Sequence, residues 1–223
     1  MKRYAMPGFW PLARKVKKFV ITPSAGPHAK QSSIALRIVI RDVLGLAENA
    51  QEASKIIKGG EVLIDKKAVK NDNHPVGLMD VVQFPRIKKQ FRILPSRKGL
   101  EVVEIDARQA ARKLCSVKKK KMIKGGKTQL TLHDGRTIVG KENKYKPGDS
   151  LLIEVPAQKI LGHFEMKEGV PAIIVAGKNS GSHGKIKKIE KRKTMMEKSS
   201  VVLDTKEGEI ETLMEYILVS EIK

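Results

Sequence analysis

Aromatic residues are scarce: one Trp, three Tyr and five Phe make up 4% of the chain. That is too few for a sheet that stacks successive bases, and no Lys/Arg-Gly-Phe/Tyr run of the common RNA-recognition sheet occurs. Cysteine is nearly absent. Cys115 alone can form neither an internal disulfide nor a zinc site, and it reads as a small buried apolar residue in a reducing compartment. No stretch approaches the roughly 18 apolar residues of a membrane span. The basic N-terminus lacks the apolar core and small-residue cleavage site of a secretory signal. The histidines (His28, His74, His133, His163 and His183) are scattered without metal-ligand spacing. No phosphate-binding Gly-x-x-x-x-Gly-Lys-Ser/Thr loop, dinucleotide fingerprint or Gly-x-Ser-x-Gly elbow is present. These absences lead us to expect no metal, no cofactor, no catalytic residue, no small-molecule substrate and no membrane.

Acidic residues are also few. The 223 residues hold 24 Asp+Glu against 45 Lys+Arg, a net charge of +21. Such an excess implies a polyanionic partner, most commonly nucleic acid. A lysine-rich thermophile surface would carry comparable Glu enrichment, which is missing here. The charge is also unevenly placed. Residues 1–33 contain seven Lys/Arg and no acid, and residues 107–127 contain nine and no acid. From Met195 to Lys223 the balance reverses, with seven acids and three lysines. An evenly solvated surface would not be partitioned in this way, so the basic blocks are expected to meet phosphate.

The length allows two or three small domains, and the pattern predicts an α+β, multi-domain chain. Residues 1–33 read as a basic extended arm. Pro7, Gly8, Pro11, Pro23, Gly26 and Pro27 punctuate it, Lys2, Arg3, Arg14, Lys15, Lys17 and Lys18 charge it, and it should order only on its partner. Phe9 and Trp10 can either stack on a base or dock on the body, and docking is the expected role. Residues 34–84 read as a compact α+β unit. Ser33 is a candidate cap for a helix starting at Ile34, with Arg37 and Arg41 on one face. Asn49 and Glu52 open a second helix as a capping box, Lys55 and Lys58 line its outer side, and Gly59-Gly60 close it. Glu61–Ile64 is the next strand, Asp65-Lys66-Lys67 a tight turn and Val81-Val82 a further strand.

Residues 85–168 are predicted to be β-rich, with strands over Gln90–Leu94, Leu100–Ile105, Gln129–Leu132, Thr137–Val139 and Ser150–Val155. A short helix is placed over Asp106–Leu114, and turns at His133–Arg136 and Pro147–Asp149. Lys118, Lys119, Lys120, Lys121 and Lys124 are assigned to a phosphate-neutralising loop. Residues 169–223 hold β-prone stretches at Lys185–Glu190, Ser199–Asp204 and Tyr216–Ile222, suggesting a small barrel. Between Val170 and Ile186 an apolar strand runs into Gly177, Gly181 and Gly184. That loop brings bare amides, with Lys178, Asn179 and Lys185, to one edge of a hairpin where a phosphate can be held.

These motifs resemble known modules. Gly60–Asp65 and Pro75–Val82 resemble the RNA-binding domain shared by bacterial ribosomal small-subunit protein four, some pseudouridine synthases and some aminoacyl-tRNA synthetases. Met79 departs from that pattern, which usually has Gly before the Asp. The glycine hairpin resembles a KOW motif. In this order, with Pro7–Leu12, Pro23–His28, Lys113–Val117 and His133–Ile138, they resemble the archaeal/eukaryotic-type small-subunit ribosomal protein "four-e" family over nearly the whole chain. The resemblance implies an RNA-binding arm (1–33), an S-four-type module (34–84), a central β-rich domain (85–168) and a KOW-containing SH3-like barrel (169–223). It implies a cytoplasmic, archaeal-type structural subunit of the small ribosomal subunit, with rRNA and neighbouring ribosomal proteins as partners. Lys2, Arg3, Arg14, Lys15, Lys17, Lys18, Arg37, Arg41, Lys55, Lys58, Lys66, Lys67, Lys118–Lys121, Lys124 and the hairpin residues would be its RNA contacts.

Two other classes share parts of this pattern. A pseudouridine synthase carries the same N-terminal module but needs a catalytic Asp in a Gly-Arg-x-Asp setting. Here Asp134 precedes Gly135-Arg136, and the remaining length is short for such a catalytic domain. A KOW-type transcription factor leaves the module at 34–84 and the basic arm unaccounted for.

Overall fold

A computed structural model describes the chain except residues 141–142, 191, 193, 195–196, 206–207 and 221–223. It is mostly β-sheet with few helices and falls into two compact units, Met1–Leu94 with Lys98–Lys113 and Val155–Ala157, and Pro95–Arg97 with Leu114–Glu154 and Gln158–Lys223.

In the first unit, β1 (Ser33–Ala35) pairs antiparallel with β4 (Pro75–Gly77). A short helix, α1 (Leu36–Ile38), follows and widens through Val39–Val43. The helix predicted from Ile34 therefore begins later. Ser33 sits in the strand, its hydroxyl donates to the Ala29 carbonyl, and α1 has no side-chain cap. The second helix, α2 (Ala50–Lys58), starts at the expected cap: Glu52 N donates to Asn49 Oδ1 at 2.8 Å, but the Glu52 carboxylate accepts from Glu48 N at 2.9 Å, one residue before the cap amide a reciprocal box would use. Ala53 and Ile57 turn inward and Gly59 ends the helix. A five-stranded sheet runs in the order β3 (Lys67–Ala68), β2 (Leu63–Ile64), β5 (Val81–Phe84), β6 (Lys89–Ser96) and β7 (Gly99–Glu104). Asp65 and Lys66 join β2 to β3 with φ of 49° and 62°, the two-residue turn whose twist matches a hairpin. The helix predicted over Asp106–Leu114 is only the single turn α3 (Ala107–Ala110), because strand pairing takes over at Arg112.

The N-terminal segment does not stand off as an arm without a core. Met6, Trp10 and Val20 are buried in the same cluster as Ile34, Leu36, Ile40 and Ile93, and Trp10 Nε1 donates to the Ser33 carbonyl at 3.0 Å. Apolar burial at these positions fixes the segment without a partner, and Trp10 is the anchor the sequence suggested.

The second unit holds two five-stranded sheets. One runs β10 (Thr137–Gly140), β9 (Lys127–Leu132), β8 (Arg112–Ile123), β11 (Ser150–Glu154), β12 (Ile160–Phe164) over a core of Cys115, Val117, Leu130, Leu132, Leu151 and Ile153. Cys115 is buried in this core as expected, but not as a purely apolar residue: its thiol donates to Asp134 Oδ2 at 3.7 Å. The other runs β16 (Gly208–Leu213), β15 (Ser200–Thr205), β14 (His183–Glu190), β13 (Pro171–Ile174), β17 (Ile217–Val219) over Ala172, Ile174, Ile186, Val201, Leu203 and Val219. The end of the stretch expected at Tyr216–Ile222 lies outside the described residues. β8, β12 and β16 have no counterpart among the predicted strands. β8 in particular corrects the reading of Lys118–Lys121 as a loop: the lysines are a strand paired to β9, with a bulge between Val117 and Lys119.

Candidate nucleic-acid interface

The Asp65-Lys66 turn is held from beneath by charge. Lys113 Nζ donates to Asp65 Oδ2 and Asp80 Oδ1, and all three side chains are buried. Asp65 Oδ1 accepts from Val81 N at 3.1 Å, and Asp80 Oδ2 accepts from Gly77 N at 2.9 Å. His28 reaches the same Asp80 carboxylate at 3.0 Å, and its ring fills the space that a side chain at Gly77 would need. Burial opposes the Asp80 charge, but Lys113, the His28 hydrogen bond and the Gly77 amide outweigh it and hold its carboxyl well below the usual range. His74 is shifted down from 6.5, first by burial, with Asp80 opposing. One buried cation therefore ties the N-terminal segment, the hairpin turn and the Gly77–Asp80 corner together. Lys66 and Lys67 are then presented to solvent on a fixed turn.

At that corner Met79 adopts φ of 63° while only 1% exposed. This is the position where the resembled module usually carries Gly, and the left-handed backbone is the reason.

The structure divides the predicted basic residues. Lys2, Arg14, Lys15, Lys17, Lys18, Lys55, Lys58, Lys66 and Lys67 are exposed. Among the described residues, the ammonium groups of Lys55, Lys58, Lys66 and Lys67 have no hydrogen-bond or ion-pair partner. Arg3 is instead buried at 5% exposure. Arg37 lies 3.3 Å from Asp72, which also accepts from Ser54, and Arg41 lies 2.6 Å from Asp42. Both lie in the same helical segment, but their charge is already locally compensated.

On β8, Lys120 lies opposite the buried Leu130 and donates to the Asn143 and Tyr145 carbonyls at 2.7 Å each, so its head closes the edge of the core. Lys119 and Lys121 pair with the half-exposed Thr131 and Gln129 and point outward, and Lys118 donates to the Glu215 carbonyl at 3.3 Å. Lys124 is exposed in the turn beyond. Asp134 is buried and held by its surroundings: it accepts from Arg136 N, lies 3.0 Å from Arg136 Nε and accepts from Cys115 Sγ of β8 at 3.7 Å.

In the glycine hairpin, Ile174 N donates to the Ser182 carbonyl and Gly181 N to the Ile174 carbonyl. Gly177 and Gly181 have φ of 92° and 85°. The amides of Gly177, Lys178 and Asn179 donate to no acceptor among the described residues, and Lys178 is exposed beside them. Lys185 is exposed too, but it pairs with Pro171 at the other end of the β13–β14 ladder, away from the loop it was expected to flank. Gly184 has a different reason: a Cβ there would overlap the Asp204 carbonyl oxygen of β15. It is required for strand approach.

Comparison with known proteins adds three family matches in chain order. The RS4NT (NUC023) domain matches residues 1–31, the S4 domain residues 38–82, and Ribosomal family S4e residues 87–160. The small ribosomal subunit protein eS4 of Methanothermobacter thermautotrophicus is 40% identical over 220 residues, covering 98% of this chain and 90% of that protein. Its counterpart in Methanosphaera stadtmanae is 42% identical over 221 residues, with the same coverage. The crystal structure of the 30S ribosomal protein S4e from Thermoplasma acidophilum superposes with a TM-score of 0.73 at 30% identity, over 84% of this chain and 94% of that one.

Proposed function

The chain belongs to the eS4 family of small ribosomal subunit proteins, and from that membership we propose that it is a structural constituent of the small ribosomal subunit that grips rRNA by its backbone and shape. The observation that carries this reading is the fixed, outward set of uncompensated lysines on the S4-type module, Lys55, Lys58, Lys66 and Lys67. Each releases condensed counterions when it meets a phosphate, so affinity accumulates over many weak contacts.

The segment at 1–33, with Lys2, Arg14, Lys15, Lys17 and Lys18, supplies a second contact. The outer face of β8, with Lys118, Lys119 and Lys121, and Lys124 beyond it supply a third. The hairpin of Gly177, Lys178, Asn179, Gly181 and Lys185 supplies a fourth, within a KOW-containing barrel at 169–223. The open amides at Gly177–Asn179 support that assignment, because successive free N–H groups make an anion nest. Arg37, Arg41 and Lys120 serve mainly to hold the protein together, and Arg3 is buried away from any contact face. Contacts to several rRNA helices would fix their relative arrangement during subunit assembly, in an archaeal-type cytoplasmic ribosome and beside neighbouring ribosomal proteins. The function needs no catalytic group.

The test is the salt dependence of binding to small-subunit rRNA. The double variant Lys118→Ala/Lys119→Ala should weaken binding and lower the log–log salt slope by roughly one to two, while Arg41→Ala should leave the slope nearly unchanged. An unaltered slope in the double variant removes β8 from the contact surface.

A further inference from the structure

Seven of the nine aromatic side chains are buried or half-buried; the other two are not. Tyr4 is 82% exposed and Phe19 is 64% exposed. The segments that carry them meet in a short antiparallel contact in which Lys2 bridges to Phe19, Arg3 N donates to the Lys18 carbonyl at 2.9 Å and Val20 N to the Met1 carbonyl at 3.0 Å. Arg3 and Val20 face inward across this contact and Lys2 and Phe19 face out, while Tyr4 projects outward from the single helical turn Arg3–Ala5 that follows. The ammonium of Lys18 lies 5.5 Å from the centre of the Phe19 ring. Arg14, Lys15 and Lys17 are exposed in the adjoining loop, and residues 1–33 contain no acid.

Two large rings left in water forgo the stabilisation that burial gives, in a segment whose Met6 and Trp10 are buried. An acidic protein surface would answer the lysines but offers the ring faces nothing specific. An RNA duplex supplies phosphates, yet its bases are already stacked inside it. Unpaired nucleotides supply both, a base face for each ring and phosphates for the lysines.

We propose that the Tyr4–Phe19 edge is a stacking site for unpaired RNA nucleotides, with Lys15, Lys17 and Lys18 holding the flanking phosphates. The proposal rests on the RNA-binding reading above and deepens it: this edge contacts bases, whereas the rest of the basic surface meets backbone.

The test uses the full chain with a labelled single strand of about ten nucleotides and a duplex of about equal length, a span within the usual single-strand site size. Phe19→Ala and Tyr4→Ala should each weaken single-strand binding roughly 5- to 100-fold, with duplex binding and the salt slope unchanged. Phe19→Trp should retain the affinity, and melting temperatures should not move because both rings are exposed. Equal loss for both RNAs would overturn the proposal and make the rings supports of the arm. Full single-strand affinity in both alanine variants would overturn it too and give the edge to a protein neighbour. A wild-type chain that binds neither RNA at low salt would instead bring down the RNA-binding reading itself, and this proposal with it.

Discussion

Lys113 Nζ lies 2.7 Å from Asp65 Oδ2 and 2.6 Å from Asp80 Oδ1, and its side chain is 1% exposed. A single cation thus balances two buried carboxylates beneath the turn that presents Lys66 and Lys67. Replacing Lys113 by Met keeps the stem and deletes the charge, leaving both carboxylates buried without their cation. The variant should lose about 3–5 kcal/mol of stability in its own unit, read as a lower denaturant midpoint in urea. A loss below about 1 kcal/mol, the level of an exposed pair, would mean that the three groups are wetter than the structure has them.

The same network sets an acid limit. The Asp80 carboxyl is held below its ordinary 3.8, so the unfolded chain takes up this proton first as pH falls. Its contribution to stability is complete above about 3.8 and is lost as pH drops through the lower folded value. His74 acts in a higher window. Its pKa is lowered from 6.5, so its neutral form is favoured on folding, and that contribution is present above 6.5 and fades below it. Stability measured against pH should fall in two steps. His74→Gln should flatten the upper step and Asp80→Asn the lower. An unchanged upper step in His74→Gln would contradict the assignment.

Met79 inverts the usual ranking of substitutions. Truncation to Ala should cost about 2–5 kcal/mol through the lost buried side chain, and Ala still carries the left-handed backbone penalty. Met79→Gly loses the same contacts but relieves about 1–2 kcal/mol of that penalty. Gly should therefore be the milder replacement, although the side chain it removes is larger. Thermal melts of the two variants decide this, and a lower midpoint for Gly would contradict it.

Gly184 and Gly125 separate two reasons for a glycine. A Cβ at Gly184 runs into the Asp204 carbonyl, whereas one at Gly125 (φ 83°) meets open space. Gly125→Ala should cost only about 1–2 kcal/mol of backbone strain. Gly184→Ala should cost clearly more, because β14 and β15 must separate to admit it. Equal midpoints in the two variants would remove the close strand approach as the reason for Gly184.

What was legible in the sequence was local. The Asn49–Glu52 cap, the Gly59-Gly60 stop and the Asp65-Lys66-Lys67 turn are each written within four residues; the first two formed as read, and the turn closed one residue tighter because Lys67 pairs with Ile64. The β8 strand was missed because four lysines carry little β preference of their own. Their pairing depends on Thr128–Leu132, across a turn, and on tertiary burial of one face. The four-residue spacing of Arg37 and Arg41 carries no sign of Asp72, which compensates Arg37 from 35 residues away. The Lys113 network joins positions 28, 65, 80 and 113, and no spacing rule links them. The one local trace was Lys113 heading the run Leu114-Cys115-Ser116-Val117, a charge at the mouth of a buried strand. The exposed Tyr4 and Phe19 were hidden by the chain's overall poverty in aromatics, which spoke for backbone contacts everywhere.

The central claim is that this chain is built into the small ribosomal subunit through many phosphate contacts. Sedimentation of a cell lysate on sucrose gradients at moderate and at high salt tests it most directly. One copy per small subunit should co-migrate and stay bound at high salt, because several contact faces must release together. Migration as free protein, or release at a modest rise in salt, would contradict it.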